Sequence, residues 1–159
     1  MAASAIDAGK IRLPLREAPP ATLHEQGLPS MQSYVLAAGV LMILIGIAHS
    51  VIGEILIFRQ LRAGAIVPLL APAPLRERHL RILWANWHLC SVLGWGLAAL
   101  LIQFAMAPDL SAHALQIRII AIATLAGSVL VLYATRGRHP GWLGLLVAAG
   151  LAWLGQSGA

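Results

Sequence analysis

Four long apolar runs, parted by short clusters of arginine, proline and small polar residues, organise the chain from about residue 30 onward. The first runs from Tyr34 to Phe58 and carries one acid, Glu54; the second, Ile82 to Met106, holds no Asp, Glu, Lys or Arg. The third runs from about Ala112 to Thr135 with Gln116 and Arg118 near its start, and the fourth, from Pro140 to Ala159, is uncharged. A helix needs about 20 apolar residues to cross a bilayer's hydrocarbon core. The pattern therefore predicts helices over about 33–58, 75–106, 112–135 and 140–156, the fourth weakened by Gly141, Gly144, Gly150, Gly155 and Gly158.

The punctuation between runs agrees. Ser30 offers an N-cap oxygen to the first helix, and Pro74 is placed to start the second, where its missing N–H costs nothing. Pro108-Asp109-Leu110-Ser111 reads as a turn with its own cap for the third helix; Arg136-Gly137-Arg138-His139-Pro140 ends the third and begins the fourth. Short connections join antiparallel neighbours. The expected fold class is all-α integral membrane, an antiparallel up-down bundle of four transmembrane helices. Residues 1–30, with Pro14, Pro19, Pro20 and Pro29 among small and charged side chains, are expected to form a disordered or surface-lying tail. The stretch from Ala65 to Pro74 is apolar but too interrupted by proline to span, and is expected at the interface or over one end of the bundle.

Composition sharpens the choice of solvent. Of 159 residues, 59% are hydrophobic and 11% charged, whereas a soluble domain carries about a quarter charged. Lipid is thus the expected partner of most of the surface. The net charge of +5 does not point to nucleic acid, because the arginines sit between apolar runs instead of along a solvated stripe. The lone Cys90 lies inside an apolar run and cannot form an internal disulfide. No continuous apolar h-region precedes residue 30, so targeting is expected from the first transmembrane helix.

The basic residues set an orientation. Seven fall in or beside the first and third loops: Arg59, Arg62, Arg76, Arg78, Arg81, Arg136 and Arg138. The tail has Lys10, Arg12 and Arg16, partly balanced by Asp7, Glu17 and Glu25, and the second loop has only Arg118 at its edge. The positive-inside rule then places loops 1 and 3 in the cytoplasm and both termini outside, in a bacterial cytoplasmic membrane.

One constellation could carry chemistry. At about 100° per residue, Gly39, Gly46 and Gly53 fall near one line on helix 1, with His49 to one side and Ser50 and Glu54 to the other. Glycines admit a close neighbour and intramembrane polar groups face protein, so this face should point inward. On helix 2, Arg81, Trp84, His88, Ser91 and Trp95 recur at spacings of three or four and form a facing stripe; Asn86 and Trp87 fall off it. An antiparallel hairpin folded about Pro68 puts His49 level with His88 and Glu54 level with Arg81.

Such a group supports three chemistries. Opposed His49 and His88 could ligate the iron of haem b or help hold a divalent metal, with Trp84 and Trp95 as flat walls. Glu54 and Arg81 could hold a propionate, a quinone carbonyl or a relay water. The reading without a ligand has His49 bonded across the interface and Glu54 paired with Arg81, all as packing. Elsewhere, Thr124, Ser128 and Thr135 are expected to bond back to their own preceding turns. His24, His79, His113 and His139 lie in tails or at interfaces, and Trp142 and Trp153 fit the two edges of an aromatic belt. Ser50 and Ser91 each have a histidine within reach but no nucleophile elbow or oxyanion hole, which argues against a hydrolase.

The strings His49-Ser50-Val51-Ile52-Gly53-Glu54 and Trp87-His88-Leu89-Cys90-Ser91, on two helices parted by a basic loop, resemble those of small uncharacterised bacterial four-helix inner-membrane proteins. The resemblance covers most of residues 34–156. It implies the architecture and draws attention to His49, Glu54 and His88, and it brings no reaction. Three functional expectations follow: a non-enzymatic subunit or assembly partner of a membrane complex, a haem- or metal-binding protein of electron transfer or sensing, or a proton or small-solute pathway through Glu54.

Overall fold

The protein's structure, a computed structural model, describes residues 30–157. Most of the tail expected over residues 1–30 lies outside the described residues. The described chain forms four α-helices: α1 (Met31–Gly53), α2 (Glu77–Ala105), α3 (Ala114–Thr135) and α4 (Gly141–Gln156). A π-helical turn, Glu54–Phe58, and a 3-10 turn, Arg59–Leu61, prolong α1, while a 3-10 turn, Ser111–His113, leads into α3. No strand occurs among the described residues.

The ends follow local chemistry. Ser30 is extended, and its Oγ accepts from the Ser33 N–H at 3.2 Å, satisfying an orphan amide of the first turn. The helix expected to start beside Pro74 begins at Glu77, where an acid in the first turn complements the positive end of the helix dipole. Before α3, Asp109 Oδ1 accepts from both the N–H and the hydroxyl of Ser111, at 2.9 and 2.6 Å. α3 ends on left-handed Arg136 and Gly137 (φ 50° and 75°), with the Gly137 N–H reaching back to the Leu132 carbonyl at 2.9 Å as in a Schellman cap.

Three helical stretches, Met31–Leu61, Glu77–Ala105 and Ser111–Thr135, are long and apolar enough to cross a membrane; Gly141–Gln156 is apolar but shorter. Large side chains such as Leu93, Leu115 and Leu130 face outward with 60% or more of their surface exposed. α1 packs on α2 with one face and on α4 with another, and α3 packs on α4. At one end, Gln32 donates to the Ala107 carbonyl at 3.2 Å, Gly155 meets Val35, and Arg118 donates to Gln156 at 3.2 Å.

Glycine sets the spacing of these contacts. Along α1, a Cβ on Gly39 would stand 2.8 Å from Ile102, and one on Gly46 or Gly53 would overlap the indoles of Trp95 and Trp87. On α4 the roles reverse: Gly144 receives Ile45 and Gly155 receives Val35 of α1. The glycines that lower α4's intrinsic helicity thus seat it against α1 at close approach. Between the helices lies a core of small and branched side chains, with Val35, Ala38, Ala98, Leu101 and Ile117 fully buried.

Candidate functional site

His49, Ser50 and Glu54 gather at the C-terminal end of α1 against the first half of α2. α1's third glycine, Gly53, lets α2 approach, and the polar groups come together on both sides of that contact. Ser50 Oγ lies 3.0 Å from His88 Nδ1 and donates to Ser91 Oγ at 2.9 Å. On the far side of His88, its Nε2 stands 3.6 Å from Glu54 Oε2. Glu54 Oε2 also accepts from the Trp84 indole N–H at 3.2 Å, while its other oxygen pairs with the Arg62 guanidinium. The groups form one chain, Arg62–Glu54–His88–Ser50–Ser91, running from the first loop inward.

The π turn places its outer members. Where the helix widens at Glu54–Phe58, the Arg59 N–H bonds to the Glu54 carbonyl five residues back instead of four. Phe58 is thereby buried against both Trp87 and His88, with ring centroids at 5.8 and 6.2 Å. The 3-10 turn that follows gives way to extended backbone at Arg62, whose guanidinium reaches back to Glu54. Glu54 and Arg62 retain only 27% and 28% of their side-chain exposure, so this ion pair is better shielded than a surface pair.

His49 and Arg81 stand apart from this chain. The His49 ring is stacked flat on Trp87, centroids 4.3 Å apart and planes 9° from parallel, and the Trp87 N–H donates to the His49 carbonyl at 3.0 Å. Trp87 lies over His49, and His88 Nδ1 is taken by Ser50. The expected Glu54–Arg81 pair is not formed. Arg81 pairs with Glu77 one turn away on α2, both half exposed, and Arg62 occupies Glu54 in its place. Among the described residues, no group of three or more His, Cys, Asp or Glu side chains is placed to hold a metal ion.

Trp95, expected as a wall for a flat ligand, instead donates to the Ile43 carbonyl at 3.2 Å while filling the notch at Gly46. Trp87 does the same one step along, at His49 and Gly53. A glycine that admits an indole, and a helical carbonyl whose second lone pair accepts the indole N–H, therefore recur along the α1–α2 contact. Beyond Ser91 the interface turns apolar, and Met42, Ala98 and Leu101 close it.

No protein-family model, curated protein or solved structure matches this chain. Its functional reading therefore rests on the groups just described. Arg62, Phe58 and Trp87 belong to the site although sequence reasoning gave Arg62 to the loop, placed Trp87 off the polar stripe and left Phe58 as a helix end. Of the hydroxyls on α3, Thr124 and Thr135 bond back to Ile120 and Val131 at 2.8 and 2.7 Å as expected. Ser128 instead crosses to α4, donating to the Trp142 carbonyl at 2.7 Å.

Proposed function

We propose that this is a multi-pass protein of a bacterial cytoplasmic membrane, with four helices crossing in alternation and both termini outside, acting as a non-enzymatic subunit or assembly partner of a larger membrane complex. Three apolar helices long enough to span support the membrane setting. The contacts Gln32–Ala107, Val35–Gly155 and Arg118–Gln156 support the alternation, because they join the start of α1 to the end of α2, and the starts of α1 and α3 to the end of α4. The short α4 crosses with help from bilayer thinning or from its neighbours. Seven arginines at the opposite end favour the cytoplasm there.

The observation that carries the subunit reading is the closure of the polar chain on itself. Ser50 with His88 and Ser91, and Glu54 with Trp84, bond across the α1–α2 contact, and Arg62 braces Glu54 from the loop, so what they accomplish is holding the two helices together. The outward faces left over are apolar and suit lipid or the helices of another subunit. The test is purification from the native membrane in mild detergent, comparing the natural chain with a His49→Gln/His88→Gln variant. Both should run in the same larger assembly and show no visible absorbance. A protein that runs alone, with a Soret band that shifts on dithionite and vanishes in the variant, would replace this reading with haem electron transfer.

A second reading, proton exchange with the basic end of the molecule, draws on one feature. With the Ser50 proton directed at Ser91, His88 Nδ1 donates to Ser50, and His88 Nε2 faces Glu54 with no hydrogen bond of its own. Glu54-dependent proton flux into liposomes would favour this pathway; equal flux after Glu54→Gln would remove it.

A further inference from the structure

Away from the α1–α2 contact, α3 and α4 leave an open apolar cleft of about 340 Å³ between them. Ile122 and Leu125 line it from α3, and Leu146, Gly150 and Trp153 line it from α4. On each helix these positions, spaced three or four apart, share one face. Gly150 keeps the cleft open: a Cβ added there meets no atom within 4 Å, unlike the filled glycines at Gly144 and Gly155 on the same helix.

Arg118 stands at one end of this cleft, four residues before Ile122 on the same face of α3. Its guanidinium lies 5.8 Å from the Trp153 ring centroid and donates to the Gln156 side-chain oxygen at 3.2 Å. Both partners are neutral. The three carboxylates among the described residues are engaged elsewhere: Glu54 with Arg62, Glu77 with Arg81 and Asp109 with Ser111. Arg118 therefore presents a full positive charge about one turn inside the start of α3, level with the last residue of α4. In a spanning helix that level is the border between headgroups and hydrocarbon, and a long arginine stem keeps its charge at that border.

We propose that α3 and α4 bind one anionic phospholipid, its phosphodiester on Arg118 and one acyl chain along the cleft past Gly150. A cation whose partners among the described residues are neutral, an indole beside it and an apolar trough descending from both match the two halves of such a lipid in the order a bilayer presents them. Basic sites between transmembrane helices recognise lipid headgroups on this principle. The inference rests on the membrane setting proposed above and is independent of the role given to the polar chain.

The experiment reconstitutes the full chain into phosphatidylglycerol/phosphatidylcholine vesicles, confirms co-flotation, then extracts it gently and counts retained lipids by native mass spectrometry. One phosphatidylglycerol should stay with each chain in preference to phosphatidylcholine. Arg118→Gln should lower that retention about fivefold, the worth of one basic side chain at a membrane surface. Gly150→Leu should lower it too with the charge intact, and Ile122→Trp, which fills the cleft from the other wall, provides the same test should the first variant fold poorly. Equal retention of both lipids, or retention unchanged by Arg118→Gln, would overturn the proposal. So would a dimer that Gly150→Leu dissociates, because a second copy would then occupy the cleft. A chain that floats with neither vesicle type would instead refute the membrane setting itself.

Discussion

The indole of Trp87 occupies the space where a Cβ on Gly53 would stand. The contact is fixed from three sides: the ring stacks on His49, meets Phe58 edge-on and donates its N–H to a carbonyl of α1. An indole held this way cannot swing aside for a methyl group. Gly53→Ala should therefore destabilise by the about 1–3 kcal/mol typical of overpacking, seen as a lower thermal midpoint in detergent, despite alanine's better helix propensity. Gly94→Ala, where a Cβ meets open space, should leave the midpoint unchanged or raise it.

Two arginines that look alike in sequence should separate in stability. Arg62 pairs with a shielded Glu54, and Arg62→Gln should cost about 1.5–3 kcal/mol, the range for a hydrogen bond to a charged group. Arg81 pairs with Glu77 as an exposed i,i+4 couple, and Arg81→Gln should cost no more than about 0.5 kcal/mol. Equal losses in denaturant melts would mean that Arg62 is not the partner of Glu54.

Ser50 bonds both His88 and Ser91, so its removal breaks the polar chain in two. A double-mutant cycle of Ser50→Ala with His88→Gln should give a coupling of about 0.6 kcal/mol, and at most about 1.7, as for other interhelical hydrogen bonds within membranes. Zero coupling would place the two groups out of contact.

Acid should loosen the start of the third helical segment. The hydroxyl of Ser111, and then its backbone N–H, hold the Asp109 carboxyl below the usual aspartate range. A carboxylate with a depressed folded pKa stabilises fully above its unfolded value, near 4, and that contribution is lost as pH falls through the lower folded value. The protection of Ser111–His113 amides, measured against intrinsic exchange rates at each pH, should fall below about pH 4. Asp109→Asn, which keeps an acceptor but does not titrate, should abolish that pH dependence.

Much of this arrangement was legible in the sequence because helices obey a fixed period. The Gly39, Gly46 and Gly53 line does face α2, whereas folding the chain near Pro68 set His49 level with His88 and Glu54 level with Arg81, about a turn from the contacts found, Ser50 with His88 and Glu54 with Trp84. The misplacements have two causes. A uniform 100° wheel has no room for the π turn at Glu54–Phe58, which advances the chain by an extra residue before Arg62, so a loop charge displaced Arg81 as partner of Glu54. Trp87 was set aside because the helix 2 stripe was drawn through polar residues. The largest side chain facing a glycine notch, whatever its polarity, would have been the better guide.

The glycine contacts carry a further consequence. Their spacing of about seven residues is nearly periodic: Gly39 against Ile102, Gly46 against Trp95, Gly53 against Trp87. A periodic seam is degenerate, since sliding α2 by one step would set Trp95 at Gly39 and Trp87 at Gly46 and lose little shape complementarity. The polar pairs lift that degeneracy. In the slipped alignment Glu54 would face Glu77, and His88 would leave Ser50 for the apolar stretch near Ile43. Single polar contacts set register in coiled coils on the same logic. In this hairpin the indoles supply adhesion, and the Ser50–His88 and Glu54–Trp84 contacts act as its address.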